Sequence, residues 1–295
     1  MIYKNSSELD ASQIKMIVCD LDGTLLNHQK KITTATADYL INLQKKGYTL
    51  VLASGRFYYE LHTYIKQLKM DQYGGYAICA NGLEIHDIVH QTMHCFDRLS
   101  KKEVTDILTH ARKHHITAYA NAFHCYQANC TSWLYYLITF AGFMITPFSK
   151  SSCYPIRLLK ETKFQKTSAS VSWGTLDKIC FLAGHHKLEH FRKQILSAYP
   201  DAYRFYYINR FAIEIVNHSV GKRNAVAYLC AQKSLSLDNV LAFGDSGNDE
   251  DLLQDAGIGI TMKNGFYQTK QKAKILSIKT NQQEGVLDML KRLQL

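Results

Sequence analysis

Proline is scarce in this chain of 295 residues, with three in all, and glycine is modest at sixteen. That composition excludes a long linker, a low-complexity tail or a collagen-like segment. No internal repeat is visible, which speaks against a solenoid or a propeller. No uninterrupted apolar run approaches the length needed to span a bilayer. Met1 to Ser12 is polar and lacks the apolar heart of a signal peptide, so a cytoplasmic protein without membrane contact is expected. Eight cysteines are present, but no Cys-X-X-Cys pair occurs among them. Cys19, Cys79 and Cys180 sit in apolar runs, and they read as small buried hydrophobes rather than disulfides. The spacing of His114, His115, His124, Cys125 and Cys130 fits no common zinc template. Acidic residues are in deficit, 25 against 35 basic ones, for a net charge of +10. The basic residues are scattered, with short clusters such as Lys30-Lys31 and Lys270 to Lys274, so a solvated surface is expected rather than a nucleic-acid interface.

What is present is a soluble globular composition, 46% hydrophobic and 20% charged, on a chain long enough for two domains. One stretch organises it. The apolar run Ile14 to Cys19 ends in Asp20-Leu21-Asp22-Gly23-Thr24. Such a run reads as a strand buried on both faces, which places Asp20 at its carboxyl edge, where open α/β sheets bind ligands. Asp20 and Asp22 lie two residues apart and would share one side of an extended chain. Two crowded carboxylates repel unless a cation lies between them or one keeps its proton, and that is the chemistry of a nucleophile, a divalent metal and an acid/base partner.

The chain then reads strand–helix–strand–helix–strand. A helix is expected from Thr33-Thr34 to Lys46, a strand over Tyr48 to Ala53 ending in Ser54-Gly55-Arg56, a helix over Phe57 to Leu68, and a strand over Tyr76 to Ala80 ending in Asn81-Gly82. The pattern is that of a parallel sheet with right-handed crossovers. It breaks over residues 83–218, where a hairpin (Leu83 to Phe96), a helix opened by the capping box Ser100 to Glu103, an aromatic helical run (Thr131 to Ala141) and a closing hairpin (Tyr203 to Val216) suggest an α+β insert. It resumes with a helix from Lys222, a strand over Asn239 to Phe243 ending in Gly244-Asp245-Ser246-Gly247-Asn248-Asp249, a strand over Gly257 to Thr261, and a closing helix over Val286 to Leu293.

These motifs, in this order, resemble the haloacid dehalogenase-like (HAD) hydrolases, and in detail their Cof-type phosphatases, which carry an α/β cap after the third strand. The resemblance covers nearly the whole chain beyond the first dozen residues. Asp20 to Leu26 is similar to that family's first motif, Ser54-Gly55-Arg56 to the second, Lys222 to the third and Gly244 to Asp249 to the fourth. Ser54 stands where threonine is more usual, and Arg223 follows the lysine where glycine is common. The implied fold class is α/β: a doubly wound, Rossmann-like parallel-sheet core, residues 1–82 and 219–295, with an inserted α+β cap, residues 83–218.

The resemblance also implies roles. Asp20 would attack phosphorus and form an aspartyl-phosphate, and Asp22 would serve as acid and then base. The Asp20 carboxylate, the Asp22 backbone carbonyl and the Asp245 carboxylate would hold Mg²⁺, with Asn248 and Asp249 in support. Ser54 and Lys222 would bind the phosphoryl oxygens, with Leu21, Gly23, Gly55, Arg56 and Asn81 as further substrate contacts. Asn264 also stands at a strand end, and the insert's aromatics Tyr119, Phe123, Tyr126, Trp133, Tyr135 and Tyr136 offer core or lid surface. The expected activity is a Mg²⁺-dependent phosphatase of small phosphorylated metabolites, sugar or cofactor phosphates, working as a monomer or homodimer without nucleic acid. A phosphomutase using the same intermediate is one alternative. A basic binding protein that has kept the fold is another, and the complete set of carboxylates argues against it.

Overall fold

The computed structural model describes residues 11–122, 125–129 and 176–295. The backbone forms two compact units, Met1–Phe96 with Val220–Leu295, and Asp97–Ser219.

The first unit is built around β1 (Met16–Cys19), which pairs in parallel with β2 (Thr49–Ala53) on one side and β11 (Val240–Gly244) on the other. Beyond β2 lie β3 (Tyr76–Cys79), β4 (Glu84–Asp87) and β5 (Thr92–Cys95), and beyond β11 lie β12 (Ile258–Thr261) and β13 (Ile275–Leu276). The alternation of side chains along each strand divides the apolar residues between two cores. Ile17, Cys19, Leu50, Leu52, Leu241 and Phe243 face one core, and Met16, Val18, Val51, Ala53, Val240 and Ala242 face the other. The first core is closed by helices α1 (Thr34–Lys45), α2 (Tyr58–Gln67) and the C-terminal helix α9 (Gly285–Arg292), through Leu40, Leu43, Leu61, Ile65 and Leu290. The second is closed by α6 (Lys222–Gln232) and α7 (Glu250–Asp255), through Val226, Leu229, Leu252 and Leu253. Each such aliphatic side chain contributes about 1.5–3 kcal/mol on burial. The result is the expected three-layer, doubly wound core. The strand order reverses beside β1, so the β1 and β11 carboxyl ends open on the crevice where such sheets place their ligands.

Two short helices, α3 (Met70–Tyr73) and α8 (Tyr267–Lys272), complete the first unit. The hairpin β4–β5 also differs from expectation. It was placed with the insert, but β4 pairs antiparallel with β3, from Tyr76 opposite Asp87 to Cys79 opposite Glu84. The exposed edge of β3 has backbone groups to satisfy and the next stretch of chain supplies them, so the unit ends at Phe96 rather than Gly82.

The second unit carries a five-stranded sheet of β6 (Thr117–Ala122), β7 (Cys125–Asn129), β8 (Lys178–Leu182), β9 (Tyr203–Asn209) and β10 (Ala212–Asn217), in the order β7-β6-β8-β10-β9. Its described neighbours are antiparallel. Helices α4 (Lys101–Lys113) and α5 (His185–Ala198) pack Ile107, Leu108, Leu188 and Phe191 against Ile179, Phe181, Ile213 and Ile215. The capping box opening α4 is present: Glu103 N–H donates to Ser100 Oγ and Ser100 N–H to Glu103 Oε2. The aromatic run Thr131 to Ala141 and residues Phe123, His124, Cys130, Trp133, Tyr135 and Tyr136 lie outside the described residues.

Close packing in the first unit gives a direct test. A Cβ on Gly259 of β12 would lie 1.8 Å from the Leu253 carbonyl oxygen of α7, so Gly259→Ala must push helix and strand apart. Overpacking of this kind costs about 1–3 kcal/mol, or a fall of several degrees in Tm by scanning calorimetry. An unchanged Tm would contradict so close an approach of helix and strand.

Candidate active site

The chain leaves β1 at Asp20, whose amide still donates to the Phe243 carbonyl at 3.0 Å. It then turns sharply: Leu25 N–H donates to the Asp20 carbonyl at 3.2 Å and Leu26 N–H to the Leu21 carbonyl at 2.9 Å. Leu21 is buried and anchors the turn from below. Gly23 takes φ +84°, and a Cβ there would lie 2.3 Å from Asp245 Oδ2. Glycine therefore serves two needs at once, the left-handed turn and the close approach of a second carboxylate.

Asp245 follows β11, in a loop wound around Asp249. The Asp249 Oδ2 accepts the amides of Asp245 at 3.0 Å and Ser246 at 3.1 Å. Its Oδ1 accepts Lys222 Nζ at 2.7 Å, and the same ammonium donates to Asp20 Oδ1 at 2.7 Å. Lys222 is the first residue of α6 and its side chain is 0% exposed. A cation at a helix N-terminus opposes the macrodipole, and a buried ammonium without partners is costly. Burial alone would lower the Lys222 pKa, but Asp20 and Asp249 outweigh that and hold it raised.

Carboxyl and ammonium groups are out of balance here. Asp20, Asp245 and Asp249 bring oxygens to within 4.8 Å of one another, all three buried, against the one charge of Lys222. Burial pushes Asp20 up to about 7 despite Lys222, with Asp249 adding to the rise. Burial, Asp20 and Asp249 push Asp245 up to about 8. Thr24 Oγ1 donates to Asp245 Oδ1 at 3.3 Å. A surplus of buried carboxylate built from hard oxygen donors fits a divalent cation such as Mg²⁺. Asp20 and Asp245 are the candidates to hold it. Asp249 is within reach, but its oxygens already serve Lys222 and two amides, which suits it to orienting the loop.

The remaining expected residues divide. Ser54 follows β2, is buried, and accepts the Arg56 amide on Oγ at 3.2 Å. Asn81 is buried at φ 62° and accepts Asn248 Nδ2 on Oδ1 at 2.8 Å. Gly55 backs onto the same Asn81 amide, which a Cβ would meet at 2.8 Å. Asn264 Nδ2 donates to the Gly23 carbonyl at 2.7 Å. Asp22 departs from the sequence picture. The turn after β1 ends the extended geometry that would have aligned it with Asp20, and its carboxylate is taken instead by Arg56 (Nε to Oδ2, 2.6 Å; Nη2 to Oδ1, 2.7 Å) and Lys30 (Nζ to Oδ1, 2.5 Å). Burial acts against it, but Arg56 and Lys30 hold Asp22 below the usual carboxylate range. Thr24 and Lys30 were not singled out from sequence. Thr24 lay inside the first motif, while Lys30 looked like one of a surface pair.

A match to the haloacid dehalogenase-like hydrolase family runs over residues 17–290. The HMP-PP phosphatase of Enterobacter sp. strain 638 is 25% identical over 254 residues, covering 86% of this chain and 86% of that protein. The pyridoxal phosphate phosphatase YbhA of Escherichia coli K12 is 26% identical over 264 residues, covering 89% of this chain and 92% of that one. The solved structure of a haloacid dehalogenase-like hydrolase from B. subtilis superposes with a TM-score of 0.74 at 21% identity, over 95% of this chain and all (100%) of that one, and so shares the fold. With its four motifs gathered at one sheet edge and the family match spanning both flanks and the insert, the chain belongs to the haloacid dehalogenase-like hydrolases, of the Cof type.

Proposed function

We propose that this protein is a Mg²⁺-dependent phosphatase of small phosphorylated metabolites, acting through a phosphoryl group carried on Asp20. The observation that carries the reading is the Asp20 carboxylate at the end of β1, with Oδ1 fixed by buried Lys222 and two further carboxylates alongside. A carboxylate held through Oδ1 has its other oxygen oriented, and loses little freedom on reaction. Asp20 Oδ2 forms the new bond to phosphorus as the ester P–O bond breaks, and the leaving oxygen takes a proton from Asp22. In the second half water attacks the phosphoryl group, Asp22 takes its proton, and Asp20 is regenerated. The ionised Asp22 of this structure is the state the second half needs. For the first half Asp22 must leave Arg56 and Lys30 and carry a proton.

Lys222 and the Ser54 hydroxyl are suited to the phosphoryl oxygens, with the backbone amides of Leu21, Gly23 and Gly55 and the Asn81 side chain around them, and Arg56 is a further substrate contact beside Asp22. The Asp20 and Asp245 carboxylates and the Asp22 carbonyl would hold Mg²⁺, with Asn248 and Asp249 in support. When bound, the cation offsets the charge of the carboxylates and the incoming phosphate and polarises the phosphoryl oxygens. The relatives named as phosphatases of HMP-PP and of pyridoxal phosphate support a metabolite substrate.

A panel of sugar and cofactor phosphates, assayed for inorganic phosphate, tests the reading. Release is expected to stop with EDTA and return with Mg²⁺, since Asp20, Asp245 and substrate phosphate otherwise repel one another. Full activity after rigorous chelation would contradict the metal assignment. Steady release without a bisphosphate activator separates a phosphatase from a phosphomutase.

A further inference from the structure

Asp22 is held by two cations where one would do. The Arg56 fork already grips both of its oxygens, the strongest geometry available to a carboxylate. Lys30 is added to Oδ1 at 2.5 Å. An exposed second ion pair on a satisfied carboxylate brings little stability, yet the chain builds a dedicated support for it. Lys30 sits at φ 57°, in a turn where Asn27 Oδ1 accepts the amides of Gln29 at 3.0 Å and Lys31 at 3.1 Å. Its carbonyl accepts the Tyr64 hydroxyl at 3.0 Å, and the Tyr64 ring lies 5.7 Å from the Arg56 guanidinium. One tyrosine therefore seats both cations.

The geometry points to a second anion site, made by Lys30 and Arg56 beside Asp22, that takes an oxyanion on the leaving-group portion of the substrate. This rests on the phosphatase reading above and names its substrate class: phosphate esters whose leaving alcohol carries a carboxylate or a second phosphate. Three observations support it. Two positive charges bond the one carboxylate of Asp22, and Glu60, the next acid along α2, adds only a smaller negative influence on Arg56 while accepting the Phe57 amide at 3.0 Å. Lys30 uses one of the three N–H donors of an ammonium on Asp22. The group is reachable, with side-chain exposures of 50% for Lys30, 41% for Asp22 and 23% for Arg56, whereas Lys222 is wholly enclosed. The location follows from the chemistry. Asp22 must reach the leaving oxygen, so cations resting on Asp22 border the leaving group and not the transferred phosphoryl group. When Asp22 turns to that oxygen it leaves Lys30 and Arg56 facing the alcohol, and an oxyanion there restores the pairing.

The test uses the full chain with Mg²⁺ and matched esters: the phosphates of 3-hydroxypropanoate and 3-hydroxypropanamide, and the bisphosphate and monophosphate of propane-1,3-diol. Wild type is expected to prefer the charged member of at least one pair by about tenfold or more in kcat/KM, and the preferred pair identifies the oxyanion. Lys30→Gln should cut that ratio at least fivefold, chiefly through KM of the charged ester, and Lys30→Arg should restore it. A purely structural Lys30 would lower both esters alike. Ratios within about twofold in wild type, or a ratio unmoved in Lys30→Gln, would overturn the anion site and leave the phosphatase reading standing. No phosphate release from any ester, these or the broader panel, would overturn both.

Discussion

Asp20→Asn is expected to abolish turnover while leaving the fold intact. The amide is nearly isosteric and its oxygen can still accept Lys222 Nζ, now 2.7 Å from Oδ1, but it cannot form the bond to phosphorus. Loss of a covalent nucleophile removes a step no neighbour can supply, so the fall in kcat should be on the order of 10⁴-fold or more. The stability should move the other way or not at all. Asp20 is one of three clustered buried carboxylates, of which two bond the ammonium of Lys222, and neutralising it relieves repulsion. Two measurements therefore check one residue: phosphate release in single- and multiple-turnover assays, and Tm without metal. Turnover within about tenfold of wild type would remove Asp20 as the nucleophile. A large drop in Tm would mean that its role in the fold had been underestimated.

Lys222→Met should do the opposite and strike the fold as hard as the chemistry. Met fills much of the same volume but carries no charge, and it leaves Asp20 and Asp249 without their shared cation. Breaking a buried pair from one side costs about 3–5 kcal/mol, and at roughly 2–4 °C per kcal/mol for a domain of this size the Tm should fall by about 10 °C. The loss should depend on pH. Asp20 and Asp245, pushed up to about 7 and about 8, bind their protons more tightly folded than unfolded. Their contribution is most favourable below about pH 4, where both states are protonated, and declines as the pH rises toward 8. Without metal, wild type should lose stability over that window and Lys222→Met should lose more. Mg²⁺ should recover part of the loss in both, and more at pH 8 than at pH 5, because it binds the ionised carboxylates. Thermal melts at pH 5, 6.5 and 8, with EDTA or Mg²⁺, give the comparison. A variant within about 2 °C of wild type at pH 8 in EDTA would show that Lys222 is not the counter-ion of this cluster.

Much of this molecule was legible before any coordinate. Met16–Cys19, Thr49–Ala53 and Val240–Gly244 are apolar at every position or nearly so, and a run of that length and composition has few homes besides a strand covered on both faces. Each ends in a polar motif, so the candidate carboxylates could be assigned to one sheet edge by counting alone. Chemistry that is local in the chain, such as Asp20 beside its turn glycine or Asp249 bonding the amides that precede it, follows from short-range geometry. The family match over residues 17–290 agrees with that reading.

Other features were settled only when the chain closed on itself. The hairpin Leu83 to Phe96 has strand character from its own residues, but which sheet it joins depends on the unpaired edge of β3. Asn248 and Asn81 meet across 167 residues, and Asn264 reaches Gly23 across 241. Asp22 shows the division most sharply. Its spacing put it on the same side of an extended chain as Asp20 and the family resemblance implied an acid/base role, yet its present partners are Arg56 and Lys30. Sequence spacing determines which groups a short stretch of backbone can aim together. It does not determine which charge a side chain chooses, because that depends on Coulomb and solvation terms set by every element packed around it. The strands and carboxylates were therefore written in the sequence, while the balance of charge around them, one lysine bonded to two of three clustered buried acids and two cations on Asp22, was decided by the tertiary structure.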